Sequence, residues 1–447
     1  MIGKSDLLNK KPGRALFLFA LPIIIGNIFQ QLYNMADSVI VGRYVGEEAL
    51  AAVGASYSYT TVLIMIAIGG GMGASVLAGQ YLGAAKYNDM CTAVYTFLII
   101  FFALSIALSA ASFFLNPMIL KALDTPDNIF DDAVTYLQIY SAGLPFMFMY
   151  NILSADFNAL GRSGIPLGLL VFSSTLNVIL DIVTVRVLDM GVAGVAAATL
   201  IAQGIAAVMS FVLLMKILLE YRGERSGGIF DWKMLRTGTK LAVSSIIQQS
   251  IVSLGMLLSQ SAVNRFGSSA LAGFSAGTRI ESLCIVPMLA IGNAMSNFTA
   301  QNLGAGEEDR IKEGYRAAMC IIVFFGIALM LISQLFCRPI VSLFMDASES
   351  SEAFAAGSSY FKFIGWFFTL LGFKSVTDGE LRGSGDVKIY MLANLVNLAI
   401  RVSVAQLASP AFGIEVIWYA VPMGWAANFA ISYSGYRTGR WKTKRLA

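Results

Sequence analysis

Residues 15–41 read ALFLFALPIIIGNIFQQLYNMADSVIV, an apolar run interrupted by a few polar side chains at helical spacing. It is long enough to cross a bilayer, for which about 20 residues at 1.5 Å each suffice. Asn27, Gln30, Asn34 and Asp37 follow one another at steps of three, four and three, so one stripe of the helix carries all four polar groups, with Tyr33 beside them. A stripe of amides and a carboxylate does not face lipid. It faces other helices or water, and a carboxylate at that depth, costing at least about 2.5–3.5 kcal/mol to insert, marks an ion path more often than a packing contact. For Asn27 and Gln30 interhelical hydrogen bonding serves equally well.

The rest of the chain repeats this pattern. Of 447 residues, 57% are hydrophobic and only 13% charged, and mean hydropathy is +0.71. A soluble domain is excluded, since its apolar share is about 45–50%. Twelve apolar windows, from 15–41 to 412–436, predict an all-α membrane protein with twelve transmembrane helices. The most polar interval follows Lys216, giving an N-lobe over 1–215, a cytoplasmic linker over 216–237 and a C-lobe over 238–447. With the N-terminus inside, most of the 31 Lys and Arg fall in cytoplasmic segments, which orients the chain with both termini cytoplasmic in the cell membrane. The basic start at Lys4, Lys10, Lys11 and Arg14 leads into a spanning helix, not a cleaved leader.

Three matches in register tie the halves together. Ala49-Leu50-Ala51 recurs as Ala270-Leu271-Ala272, Gln80-x-Leu82-Gly83-Ala84 as Gln301-x-Leu303-Gly304-Ala305, and Leu160-x-x-Ser163-Gly164 as Leu381-x-x-Ser384-Gly385, each at an offset of 221. Six spans per half return the chain to the side it started from, so the repeat is parallel: two six-helix lobes about an axis along the membrane normal. Lobes so related can enclose a cleft that opens to either side.

The chemistry is narrowed by what the chain lacks. It has no histidine, which removes imidazole proton relays and imidazole metal sites, and no phosphate-cradling G-x-x-x-x-G-K-[ST], which argues against ATP as the direct energy source. Carboxylates are left to couple transport to an ion gradient. Asn177 and Asp181, four apart on the fifth span, share a face and a depth with Asp37, and Thr199 enters from the sixth. Two carboxylates, an amide and a hydroxyl give hard oxygen ligands suited to Na+, and the same acids can take H+. In the C-terminal half Asn394, Asn397 and Arg401 repeat the stripe with a guanidinium where Asp181 stands, and Glu281 is the acid available to pair with it. Pro22 removes a backbone donor from the first span and predicts a bend there. Cys91, Cys284, Cys320 and Cys337 stand singly and read as small core residues.

Several of these stretches together resemble the multidrug and toxic compound extrusion (MATE) family of antiporters over essentially the whole chain. They are Gln30-Gln31-Leu32-Tyr33-Asn34-Met35-Ala36-Asp37-Ser38 with Gly42-Arg43, Gln80-Tyr81-Leu82-Gly83-Ala84, Ala159-Leu160-Gly161, Gln301-Asn302-Leu303-Gly304-Ala305-Gly306 and Leu381-Arg382-Gly383-Ser384-Gly385-Asp386. The resemblance implies two six-helix lobes and export of organic cations or other amphipathic compounds against inward Na+ or H+. It places cation binding at Asp37, Asn177, Asp181 and Thr199, makes Pro22 a candidate moving part, and leaves Asn27, Gln30, Tyr33, Asn34 and Asn151 for the substrate cleft. The expected partners are small amphipathic or cationic molecules and the bilayer, with no nucleic acid, no cofactor and a monomeric state. Two other functions are weighed: a flippase for a lipid-linked sugar, which would need a more cationic cleft, and an integral membrane transferase, for which Asp156, Asp378, Glu380 and Asp386 are the nearest catalytic candidates.

Overall fold

The computed structural model describes residues 5–221, 228–345 and 351–446; the middle of the expected 216–237 linker lies outside the described residues. Among them the chain is almost entirely helical. In the first half run α1 (Asp6–Asn9), α2 (Pro12–Ile40), α3 (Glu47–Gly83), α4 (Tyr87–Ala122), α5 (Asp127–Ala159), α6 (Gly164–Ile182) and α7 (Gly191–Tyr221). The second half comprises α8 (Trp232–Val263), α9 (Ser268–Cys284), α10 (Val286–Gly304), α11 (Glu308–Leu335), α12 (Cys337–Val341), α13 (Ser351–Gly365), α14 (Phe368–Ser384), α15 (Val387–Ser403), α16 (Ser409–Phe412) and α17 (Glu415–Arg437).

Among the described residues, eight helices are long and apolar enough to cross a membrane: α2, α3, α4, α6, α7, α8, α11 and α15. The pair α9 and α10, bent by 41°, makes a ninth. α14 does not qualify by itself because it is 17 residues long and carries Lys374, Asp378, Glu380 and Arg382. Those charges are buried in protein: Lys374 and Asp378 pair at 3.0 Å, and the Asp378 carboxylate also accepts from Ser432 Oγ at 2.7 Å.

Two compact units emerge, and both boundaries fall inside a helix. One unit is Ile25–Ile246; the other joins Lys4–Ile24 to Ile247–Ala447. Thus α2 changes unit within a turn of Pro22, and α8 changes unit near the position one repeat length further on. The start of the chain is anchored in the second unit by hydrogen bonds, since Asn302 Nδ2 and Arg310 Nη2 donate to the Leu7 carbonyl at 3.2 and 3.1 Å, and Arg310 Nη2 also donates to the Lys10 carbonyl at 2.9 Å. These donors satisfy carbonyls at the end of α1 that have no helical partner.

Backbone features recur at the spacing of 221. Gly46 and Gly267, each preceding a helix, have φ of +125° and +93°. Ala85 and Gly306 both take a left-handed conformation in the short connections after α3 and α10. π-helical turns over Val183–Val187 and Val404–Ala408 continue α6 and α15, and a third, Val41–Val45, continues α2. Within the second unit α10 and α14 cross at glycines: a Cβ on Gly292 would lie 2.6 Å from the Ser375 carbonyl oxygen, and one on Gly379 would strike the carbonyl oxygen of Gly292. Only hydrogen at those positions lets the two backbones approach so closely.

Candidate functional site

Asp37, Asn177, Asp181 and Thr199, expected on the first, fifth and sixth spans, lie in the first unit, where α2, α6 and α7 bring them together, whereas Pro22 falls in the second. Asn177 and Asp181, one turn apart on α6, are 2% and 0% exposed. Asp37 is half-buried on α2, and its carboxyl faces that of Asp181 within hydrogen-bonding reach. The Asn177 amide, turned so that its nitrogen faces acceptors, donates to Asp181 Oδ2 at 2.9 Å and to Tyr33 Oη at 3.0 Å. Its carbonyl oxygen accepts from Thr199 Oγ1 at 3.3 Å. The Tyr33 and Thr199 hydroxyls are in turn within hydrogen-bonding reach of each other. One amide therefore links side chains from three helices.

Two further tyrosines complete the surround. Tyr136 and Tyr140 are one turn apart on α5 and stack with ring centroids 6.1 Å apart, and Tyr136 lies within electrostatic reach of both carboxyls. The sequence reading missed this pair. Their four-residue spacing on a polar stretch of the fourth span was the available signal, but aromatic pairs at that spacing are ordinary core features.

The charge balance at this site is unusual. Asp37 Oδ1 and Asp181 Oδ1 are buried atoms with no hydrogen-bond donor, and among the described residues neither acid is in an ion pair. Two carboxylates in one apolar site repel each other and have lost their hydration. A small cation, either a proton shared between them or a metal ion, offsets both costs. The two carboxylates supply hard oxygen donors with the Thr199 hydroxyl nearby, while the Asn177 amide presents its nitrogen to Asp181 and would have to turn for its oxygen to join them. No group of three or more acidic, Cys or His side chains occurs among the described residues, so a site rich in carboxylates for a divalent ion is absent there.

The remaining residues lie elsewhere. Asn27 and Asn34 are exposed on α2, and Gln30 Nε2 donates to Asn34 Oδ1 at 3.5 Å, so this stripe runs along the helix without joining the acid pair. Asn151 donates to the Met147 carbonyl of its own helix at 2.8 Å. Pro22 lies inside α2. In the second unit Arg401 and Glu281 approach without an ion pair: Glu281 Oε2 accepts from Tyr360 Oη at 2.6 Å, and Arg401 Nε donates to Ser259 Oγ at 3.2 Å. Asn397 Oδ1 is buried without a donor, whereas Asn394 turns away and donates to Asp378 Oδ2 at 3.4 Å.

A bundle of apolar helices with an uncompensated acid pair in one unit defines a polytopic membrane transporter. The chain belongs to the MatE family, the multidrug and toxic compound extrusion transporters, matching it twice, over residues 22–183 and 244–407. Its relatives include Probable multidrug resistance protein YpnP of Bacillus subtilis, 29% identical over 97% of this chain and 96% of that protein. A second is the FAD transporter of Shewanella oneidensis, 27% identical over 79% of this chain and 78% of that protein. Its fold is that of a solved multidrug resistance MATE family transporter of the MOP superfamily in an outward-facing conformation, with a TM-score of 0.90 at 22% identity over 100% of both chains. Family members are transporters, so the chain is a transporter and not an enzyme, and the transferase reading of Asp156, Asp378, Glu380 and Asp386 is not favoured.

Proposed function

We propose that this protein is a secondary active exporter of organic cations and other amphipathic drugs, driven by inward Na+ or H+ through alternating access. The coupling cation binds at Asp37, Asn177, Asp181 and Thr199. One observation carries this reading: Asp37 and Asp181 face each other, each with a buried oxygen that no donor reaches. A site so built is strained when empty and relieved when loaded, and a ligand can shift a conformational equilibrium only through such a difference between states.

The twelve spans of this reading are α2 to α7 in an N-lobe and α8, α9 with α10, α11, α13 with α14, α15 and α17 in a C-lobe, with both termini cytoplasmic and the protein monomeric. The double match to the family and the recurrence of Gly46 as Gly267 at the spacing of 221 support the parallel repeat. Probable multidrug resistance is what the name of YpnP prints, while the FAD transporter marks an anionic cargo on a similar chain. The acid pair favours cationic cargo, which competes with or follows the coupling cation.

The test is efflux of a fluorescent organic cation from proteoliposomes under an imposed Na+ gradient and, separately, an imposed pH gradient, with FAD as a second cargo. Wild-type protein is expected to export the organic cation uphill under at least one gradient. Asp37→Asn and Asp181→Asn keep the side-chain shape but remove the charge that binds the ion, so both variants are expected at normal abundance with gradient-driven export abolished. Wild-type ion dependence in both variants would remove this pair from the coupling role.

A further inference from the structure

The second unit holds a charged cluster that the coupling site does not use. Glu281 on α9 is 7% exposed, and the hydroxyl of fully buried Tyr360 on α13 donates to its Oε2 at 2.6 Å. The Arg401 guanidinium on α15 lies within electrostatic reach of both. Arg401 is held from the other side by α8: its Nε bonds to Ser259 Oγ at 3.2 Å, and Ser259 is itself fixed by donating to the Gly255 carbonyl at 2.7 Å. Gly255 leaves room for the aliphatic stem, since a Cβ there would lie 3.5 Å from Arg401 Cδ. Besides Tyr360 and Arg401, the titratable group acting with Glu281 is the Cys284 thiol, three residues further along α9.

This cluster contrasts in charge with the acid pair of the first unit. Asp181 lies two residues before the π-helical turn at 183–187 and Arg401 three residues before the one at 404–408, turns that recur at the spacing of 221. Tyr136 and Tyr140 on α5 accompany the first cluster, and Tyr360 on α13 the second. The cluster in the first unit has two acids and no base, while that in the second has one acid and one base. A guanidinium stays protonated at every accessible pH. Glu281 consequently has a neighbour whose positive charge does not depend on pH.

We propose that Arg401 is a tethered counter-ion: it supplies permanently, in the second unit, the positive charge that the acid pair of the first unit must take from solution, and thereby limits the chain to one coupling-ion site. The proposal rests on Asp37 and Asp181 being that site. Its physical content is that removing one partner from a buried charge pair leaves the other uncompensated. An Arg401 variant without charge turns Glu281 into a second acid in need of Na+ or H+.

The experiment measures thermal unfolding of purified full-length protein in detergent against Na+ concentration and pH, with ion-driven export in proteoliposomes alongside. Wild-type protein is expected to show one-site stabilisation, and Asp37→Asn with Asp181→Asn to lose it. Arg401→Gln is expected to gain a second stabilisation by Na+ or acid, retained in the Asp37→Asn, Asp181→Asn background, with the Hill slope for ion-driven export rising from about 1 towards about 2. Glu281→Gln added to Arg401→Gln is expected to restore the wild-type profile, and Arg401→Lys, which keeps a cation, to resemble wild type. Ion-dependent stabilisation unchanged in Arg401→Gln, or gained and not removed by Glu281→Gln, overturns the proposal. Should Arg401→Gln fail to accumulate, normal abundance of the Glu281→Gln, Arg401→Gln protein supports the pairing, and its loss as well overturns it. Persistence of full ion-dependent stabilisation in the Asp37→Asn, Asp181→Asn protein would instead refute the coupling site, a result the Arg401 variants do not influence.

Discussion

At the scale of single residues the proposed coupling site depends on one amide. Asn177 joins Asp181, Tyr33 and Thr199, so it orders both a proposed ion ligand and the hydroxyls around it. Thr199 contributes a single neutral oxygen, and a hydrogen-bonding group of that kind is worth about 0.5–1.5 kcal/mol net, or roughly two- to tenfold in affinity. Thr199→Val is therefore expected to raise the ion concentration for half-maximal export by that factor while leaving the maximal rate near wild type. Asn177→Leu removes every link at once and should weaken ion dependence by more than the Thr199 variant does. Titration of export rate against Na+ and against proton concentration reads both. Equal half-saturation in wild type and Thr199→Val would take that hydroxyl out of the ligand set.

At the scale of elements, α2 and α8 are the helices that belong to both units, but only α2 carries a proline at the changeover. Pro22 cannot donate to the Leu18 carbonyl, so α2 lacks one rung of its ladder just before Ile25 and bends there more easily. Pro22→Ala restores the rung. Normal abundance with slower turnover is expected, because a stiffer helix samples the alternative arrangement less often; wild-type turnover would reduce Pro22 to a static feature. Where α10 crosses α14, the close approach of Gly292 and Gly379 leaves no space for a side chain. Gly379→Val should lower stability by about 1–3 kcal/mol or more through overpacking, whereas Gly54→Ala, whose new Cβ meets nothing within 4 Å, should be neutral or stabilising. Thermal unfolding of the two variants side by side separates packing from a general intolerance of change.

At the scale of the whole molecule, orientation is set by the distribution of Lys and Arg. Lys121 stands exposed at the end of α4 beside the acidic stretch Asp124 to Asp132, and Lys86 stands exposed between α3 and α4. In the proposed orientation, with both termini cytoplasmic, these positions lie on opposite sides of the membrane. In a cysteine-free background, Lys121→Cys should react with a membrane-impermeant thiol reagent from outside intact cells, and Lys86→Cys only after the cells are opened. The reverse pattern would invert the topology.

The class of this protein, and the acids and amide of the candidate site, were legible in the chain alone. Apolar runs of spanning length are a property of the chain alone, because the bilayer tolerates no unsatisfied backbone and so leaves helices as the only solution for segments of this composition. Intramembrane acids are visible for the same reason: their insertion cost makes each one conspicuous, and Asp37, Asn177 and Asp181 stand out at helical spacing. The glycine signals at 46 and 267 were also present as letters. Tyr136 and Tyr140 were hidden because nothing distinguishes a tyrosine beside a carboxylate from one in a core until α5 is set against α2 and α6. Nor does spacing disclose that Gln30 and Asn34 stay outside the cluster while Tyr33 enters it, since that depends on the rotation of α2 about its axis. The assignment of Lys4–Ile24 to the unit of the second half, and the choice of Tyr360 over Arg401 as the hydrogen-bond partner of Glu281, were likewise decided only by tertiary structure. Both depend on which helices pack together, and the free energy of that choice is spread over many contacts that no single stretch of sequence contains.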